Sequence, residues 1–309
     1  MKRAIILMLL GTLGVLADEP GVQTSDSGIK HSFLVCGATT AIIGEDGAVT
    51  ASFPYNTRDG YVLPSGNLLL AVSKSKDFPG GGIVELSREG KVLFSWKGTQ
   101  SEVNTAQLVE GDRIVTTEAG PKPRLLEIDR SGKTLIEFPL QCQSTNAHME
   151  TRMSRKLPNG NYLAPHLLDK VVREYTPQGK VVAEFKTPEE PKEAWPFTAI
   201  RLASGNTLIA CTHANLVIEV DQAGKETWRL TNDDLPAPLL KDACGIQRLA
   251  NGNTVITSYG AGKADEVKML EVTPEKKLVW TYKSGLPHGV HEFQILTTNG
   301  KAEPAEPMK

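Results

Sequence analysis

A five-residue phrase returns along this chain at nearly constant spacing. Leu157-Pro158-Asn159-Gly160-Asn161 is its fullest form. Leu63-Pro64-Ser65-Gly66-Asn67, Leu202-Ala203-Ser204-Gly205-Asn206 and Leu249-Ala250-Asn251-Gly252-Asn253 repeat it. Val109-Glu110-Gly111-Asp112 and Leu296-Thr297-Thr298-Asn299-Gly300 are looser copies. An Asn-Gly or Ser-Gly pair between apolar runs specifies a tight hairpin, because the turn needs a positive φ that glycine adopts without steric cost. The six turn glycines fall 45 to 49 residues apart. A period of that length, built from strands and turns, is the mark of a β-propeller.

Each unit reads alike: apolar strand, Gly-Asn turn, second strand, variable loop, third strand, Gly-Lys turn, final strand. The outer turns are Glu89-Gly90-Lys91, Ser131-Gly132-Lys133, Gln178-Gly179-Lys180 and Ala223-Gly224-Lys225, with Pro274–Lys277 in the last unit. The final strands carry Trp96, Phe138, Phe185, Trp228 and Trp280. Recurring once per unit, these rings are expected in the core between neighbouring blades. The first blade, from Ser32 to Phe53, lacks an inner strand, and the last copy, Phe293–Leu296, has no blade after it. The two defects cancel if the C-terminal strand pairs with the N-terminal blade, which also removes two exposed sheet edges. The expectation is therefore an all-β, six-bladed β-propeller over residues 31–300, in one domain. Residues 18–30 read as a flexible polar leader and 301–309 as a flexible tail.

Composition narrows the partners. The 309 residues are 40% hydrophobic, with a formal charge of −2 and a pI near 6.3. That balance argues against nucleic acid, whose binders carry a basic excess, and leaves a small charged ligand open. The N-terminus has a secretory pattern: Lys2 and Arg3, an apolar run from Ala4 to Leu16, then Val15-Leu16-Ala17 at the cleavage positions. Such a run rises only about 20 Å as a helix, short of the roughly 30 Å hydrocarbon core. Residues 1–17 are thus expected to be a cleaved signal peptide. The mature chain should start near Asp18, be secreted or periplasmic, and have no integral membrane span. Export permits disulfides. Cys211 ends a second strand and Cys244 begins the next blade, so these two form the expected bridge, with Cys36 and Cys142 reduced. No C-x-x-C, H-x-H or H-E-x-x-H spacing is present, so no metal site is expected.

In a propeller, the start of each first strand and the end of each second strand lie on one face, around the channel mouth, where ligands favour a concave opening. Aligning the units gives one column at that face: Arg58, Asn104, Arg152, Phe197, Cys244 and His291. His148 and His288 precede first strands, and His166 and His213 close second strands. All six histidines but His31 thus point to one rim. Singly, a histidine near a turn is ordinarily a satisfied polar residue. Five on one rim with Arg58 and Arg152 suit an anion, because the planar guanidinium fork matches oxyanion geometry. An imidazole there can also act as base or nucleophile.

Three stretches add a resemblance. Asn146-Ala147-His148 precedes a first strand, Leu163-Ala164-Pro165-His166 closes a second, and His288-Gly289-Val290-His291-Glu292 precedes the closing strand. The set resembles the bacterial aryl-sulfate sulfotransferases, six-bladed extracytoplasmic propellers that move a sulfuryl group between phenols through a sulfohistidine. More broadly, the repeats resemble those named after pyrroloquinoline quinone. The resemblance implies His288 or His291 as the nucleophile. It implies a sulfate held by Arg152 with His148, His166 and His213, beside Arg58 and Asn104. No cofactor is carried over: the chain lacks adjacent cysteines, and quinone dehydrogenases generally need eight blades. Two functions stand. The first, preferred because a repeat fold does not itself imply catalysis, is an extracytoplasmic binding module. Its channel mouth would hold a small polar or anionic ligand, or a partner's loop. The alternative is a sulfotransferase-like enzyme working on an aryl sulfate.

Overall fold

A computed structural model describes residues 20–304; the expected signal peptide, 1–17, and the end of the tail lie outside the described residues. Six antiparallel sheets follow one another around an axis. The innermost strands of blades two to six are Thr57–Val62, Gln107–Val109, Arg155–Lys156, Ala194–Arg201 and Ala243–Arg248. Blade one takes its inner strand from the far end of the chain: Glu292–Thr298 pairs with His31–Cys36, from Cys36↔Glu292 to His31↔Thr298. The closure read from the two defective repeats is the one observed. The six turn glycines sit at φ between 77° and 89°, the region only a residue without Cβ enters at no steric cost.

At four of the six turns an asparagine follows the glycine and has a second task. Asn67, Asn161, Asn206 and Asn253 donate their side-chain amides to Glu85, Glu174, Glu219 and Glu271 on the third strand of their own blade. The next blade then sends a cation to the same carboxylate. Arg201 reaches Glu174 at 2.8 Å and Arg248 reaches Glu219 at 2.9 Å. Lys156 reaches Glu127. At the seam it is the His31 ring that meets Glu271, with Nε2 2.8 Å from the carboxylate. Each buried carboxylate therefore gathers several donors, as a low-dielectric site requires, and ties one blade to the next.

Apolar clusters fill the spaces between blades. Phe138, Phe185 and Trp280 are buried there as expected. Trp96 and Trp228 are only half-buried, and Trp228 uses its indole N–H on the Pro274 carbonyl at 2.8 Å. The leader is not loose throughout. Val22–Thr24 adds a fifth strand to blade six, against Leu278–Lys283. Gln23 fixes it: its amide donates to the carbonyls of His31, Gly44 and Glu45 and accepts from His31 N–H and Trp280 Nε1. At the other end Lys301–Ala302 folds back on Thr297 and Thr298, so the tail begins as strand.

Side chains from blades that are not neighbours meet near the axis. Arg155 of blade four spans to Asp59 of blade two through two hydrogen bonds, 2.8 and 3.1 Å. Glu292 of blade one accepts from Thr198 of blade five at 3.0 Å. Asp59, Glu292 and Thr198 are fully buried and Arg155 nearly so. Burial alone would lower the affinity of Arg155 for its proton, but the Asp59 carboxylate reverses the direction. These buried contacts lie between the two mouths of the channel.

Candidate functional site

The mouth at the start of the first strands holds a recess of about 100 Å³. Five of the six column residues line it: Arg58, Arg152, Phe197, Cys244 and His291. Repeat geometry explains this. The residues occupy one slot in successive blades, and each inner strand delivers that slot to the axis. Asn104, the sixth, lies just behind, donating to the Thr151 carbonyl at 3.2 Å. His148 and His213 also line the recess.

Arg152 is its most unusual member. The side chain is among the largest that are fully buried. It donates to the carbonyls of Thr151 and His148 and stacks over the Phe197 ring at 5.6 Å. It makes no ion pair among the described residues, and its Nε has no partner. Burial, then the neighbouring Arg58 charge, depresses its pKa to about 10. A buried guanidinium is costly unless a counter-charge answers it. The nearest candidate, Glu102, is turned elsewhere: it accepts from His148 Nδ1 at 3.1 Å and faces Arg58 at 3.7 Å. Burial works against ionisation of Glu102, but the His148 hydrogen bond and the charges of Arg58 and Arg152 hold it down at about 2.

His291 is buried with its tautomer set by its neighbours. The Arg58 carbonyl lies 3.1 Å from Nδ1, so that nitrogen carries the proton and donates. Nε2 then presents a lone pair to Arg58 Nη1 at 3.5 Å. Burial, with Arg58 and Arg152 adding repulsion, holds the ring neutral, well below the usual imidazole range. Phe197 and Tyr259 pack edge-on against it, 4.7 and 5.1 Å away. His213 is exposed, with its ring against Trp195 at 4.4 Å. The recess therefore has a cationic end, Arg58 and Arg152 with the neutral His291 beside them, and an aromatic wall.

Two expected members are elsewhere. His166 does end a second strand, but the segment around Cys142 lies over it. Its Nδ1 sits 3.1 Å from Cys142 Sγ and its Nε2 2.9 Å from the Tyr175 hydroxyl. The ring is fully buried, which lowers its pKa to about 3. His288 lines a separate cavity of about 10 Å³ with Cys36, Thr39 and Val290. The disulfide is also corrected: all four cysteines are free. Adjacent residues of a strand face opposite sides of the sheet. Thr212 therefore faces Cys244, with Oγ1 3.7 Å from its sulfur, while Cys211 points into the cluster of Leu163, Val172 and Phe185.

The column reading missed Glu102 and Asp242. Both stand two residues before a column position, which in extended chain is the same face. That offset was a signal available in the sequence.

Comparison with known proteins agrees with the architecture. Residues 84–233 match the family model described as Mal s 1 allergenic protein-like. This is neither the aryl-sulfate sulfotransferases nor the quinone-named repeats. No curated protein matches the chain in sequence. Among solved structures, a protein of unknown function from Bacteroides caccae superposes with a TM-score of 0.74 at 22% identity, covering 85% of this chain and 98% of that one. A catalytically inactive histidine-to-alanine virginiamycin B lyase from Staphylococcus aureus, solved with quinupristin, gives 0.58 at 12%, covering 85% and 98%. The Pseudomonas aeruginosa periplasmic gluconolactonase gives 0.57 at 13%, covering 83% of each. At such identities the likeness is one of fold. Among the described residues, no helix is long and apolar enough to cross a membrane.

Proposed function

We propose that the recess is an anion-binding site for a small monocarboxylate or comparable oxyanion with an apolar or aromatic body. The observation that carries this reading is Arg152: a buried guanidinium with an unpartnered Nε and no ion pair among the described residues. Such a cation weakens the fold unless a ligand supplies the missing charge. Arg58 provides the second fork, and Phe197, Trp195 and Tyr259 suit the ligand's body. On the pattern of residues 1–17, we propose that this binding takes place outside the cytoplasm, in a chain that begins near Asp18.

A second reading rests on His291. With Nδ1 held by the Arg58 carbonyl, Nε2 carries the lone pair, turned toward Arg58 Nη1, that would attack or accept a proton beside two guanidiniums. In a sulfuryl transfer, Nε2 would bond to sulfur, the aryl C–O–S linkage would break at sulfur, and the phenolate would leave with the electron pair. A phenol acceptor would then take the sulfuryl group and restore the imidazole. The lyase likeness also keeps catalysis open, since a histidine-to-alanine change leaves that enzyme catalytically inactive.

One set of variants separates these readings. In calorimetric titrations with benzoate, Arg152→Met should weaken binding at least tenfold and leave the melting temperature unchanged or higher. A lower melting temperature with unaltered benzoate affinity would make Arg152 structural and end the binding proposal. In parallel, an aryl sulfate and a phenol are incubated with the wild type and with His291→Ala. Transfer lost in the variant favours the enzyme; none in either favours the binding module.

A further inference from the structure

The opposite mouth of the channel is a different kind of opening. It forms where the first strands of blades three, four and five run into their glycine turns, and it encloses about 460 Å³. That lies within the range of small-molecule sites, roughly 300–1,000 Å³, whereas the recess of about 100 Å³ holds only a small group. Arg113, Arg155, Lys156 and Arg201 line it, over an apolar floor that includes Leu157 and Ile200.

The charges in this funnel are layered. Glu127, shared by Arg113 and Lys156, is fully buried. Glu174, paired with Arg201, is nearly buried, and so is the Asp59–Arg155 pair. Neither Glu127, Glu174 nor Asp59 lines the cavity, and Glu110 is the one carboxylate that does. The cations therefore stand between the carboxylates and the lumen, with donors to spare. Arg113 spends Nε on the Glu110 carbonyl and Nη1 on Glu127. Arg201 spends Nε on Thr207 and Nη2 on Glu174. One terminal nitrogen of each guanidinium remains, besides two of the three ammonium protons of Lys156. Arg155, nearly buried at the inner end, has an unpartnered Nε. A cavity whose polar lining is mostly donors, with its acceptors tucked behind, is matched by a ligand rich in acceptors and negative charge.

We infer that this funnel is a second ligand site, distinct from the recess, for a sugar-sized molecule carrying a phosphate or several carboxylates. The Asp59–Arg155 pair separates the two openings, so occupancy of one does not require the other.

Calorimetry at low ionic strength tests this with citrate, glucose 6-phosphate, inorganic phosphate and glucose. Citrate or glucose 6-phosphate should bind saturably, glucose should not, and binding should weaken as salt is raised. Phosphate binding as tightly as glucose 6-phosphate would overturn the sugar-sized fit. The double variant Arg113→Gln/Arg201→Gln should lower affinity at least tenfold. It should still fold, because Glu127 keeps Lys156 and Tyr162, and Glu174 keeps Asn159 and Asn161; a melting curve checks this. Arg152→Met should leave the citrate and glucose 6-phosphate affinities unchanged, so failure of the recess proposal leaves this one standing. No saturable binding of either polyanion, equal binding of glucose, or full affinity in the double variant would overturn it.

Discussion

At the scale of single residues, the histidines divide by burial rather than by sequence position. His166 and His291 are enclosed and neutral, and His213 is exposed. Burial holds His166 at about 3 and His291 well below 6.5. In the unfolded chain both take up protons near pH 6.5. Their contribution to stability is therefore complete above that value and is lost as pH falls toward the folded value. Between pH 7 and 5 the cost is about 2 kcal/mol for each ring. Urea denaturation at the two pH values should show the drop, and His166→Gln should cut the difference by about half. A midpoint that is flat across this interval would contradict the neutral, buried state. The alignment of units could say which rim each histidine approaches. It could not say that the segment bearing Cys142 covers His166, because that depends on a loop with no counterpart in the repeat.

At the scale of elements, the six inner turns were legible because one backbone requirement, a positive φ at glycine, recurs at one slot. The same periodicity aligned the column, and five of its members do line one recess. What the period could not convey was anything outside it. The strand Val22–Thr24 belongs to no unit, and its sequence, Val-Gln-Thr, is too short to carry an alternating pattern. Gln23 holds it with an amide that answers three carbonyls, an N–H and an indole. Counting about 1 kcal/mol for each well-made bond, Gln23→Ala should cost about 2–4 kcal/mol, read as a lower urea midpoint. An unchanged midpoint would mean that the leader is held only by its backbone. The cysteine bridge failed for a related reason. Proximity along the blade was read correctly, but the two-residue alternation of a strand turned Thr212, not Cys211, toward Cys244.

At the scale of the whole molecule, the ring depends on a pairing between residues some 260 positions apart, Cys36 with Glu292 and His31 with Thr298. Pairing so remote in sequence carries a high entropic cost before it returns any contact, which slows folding. Removal of everything after Gly289 should leave blade one without its inner strand and expose two sheet edges. The truncated chain is expected to lose its cooperative thermal transition and to aggregate. A truncated chain melting within a few degrees of the intact one would show that blades two to six suffice on their own. Closure was legible as a missing first strand and a spare last one. The inter-blade carboxylates were not, because each glutamate is defined by partners on two different units.

The Asp59–Arg155 contact at mid-axis gives the architecture a consequence for traffic. A propeller is easily pictured as a pipe, yet here a solute passing from one side to the other would have to part a buried ion pair. The molecule is better imagined as two cups set base to base, one shallow and one deep.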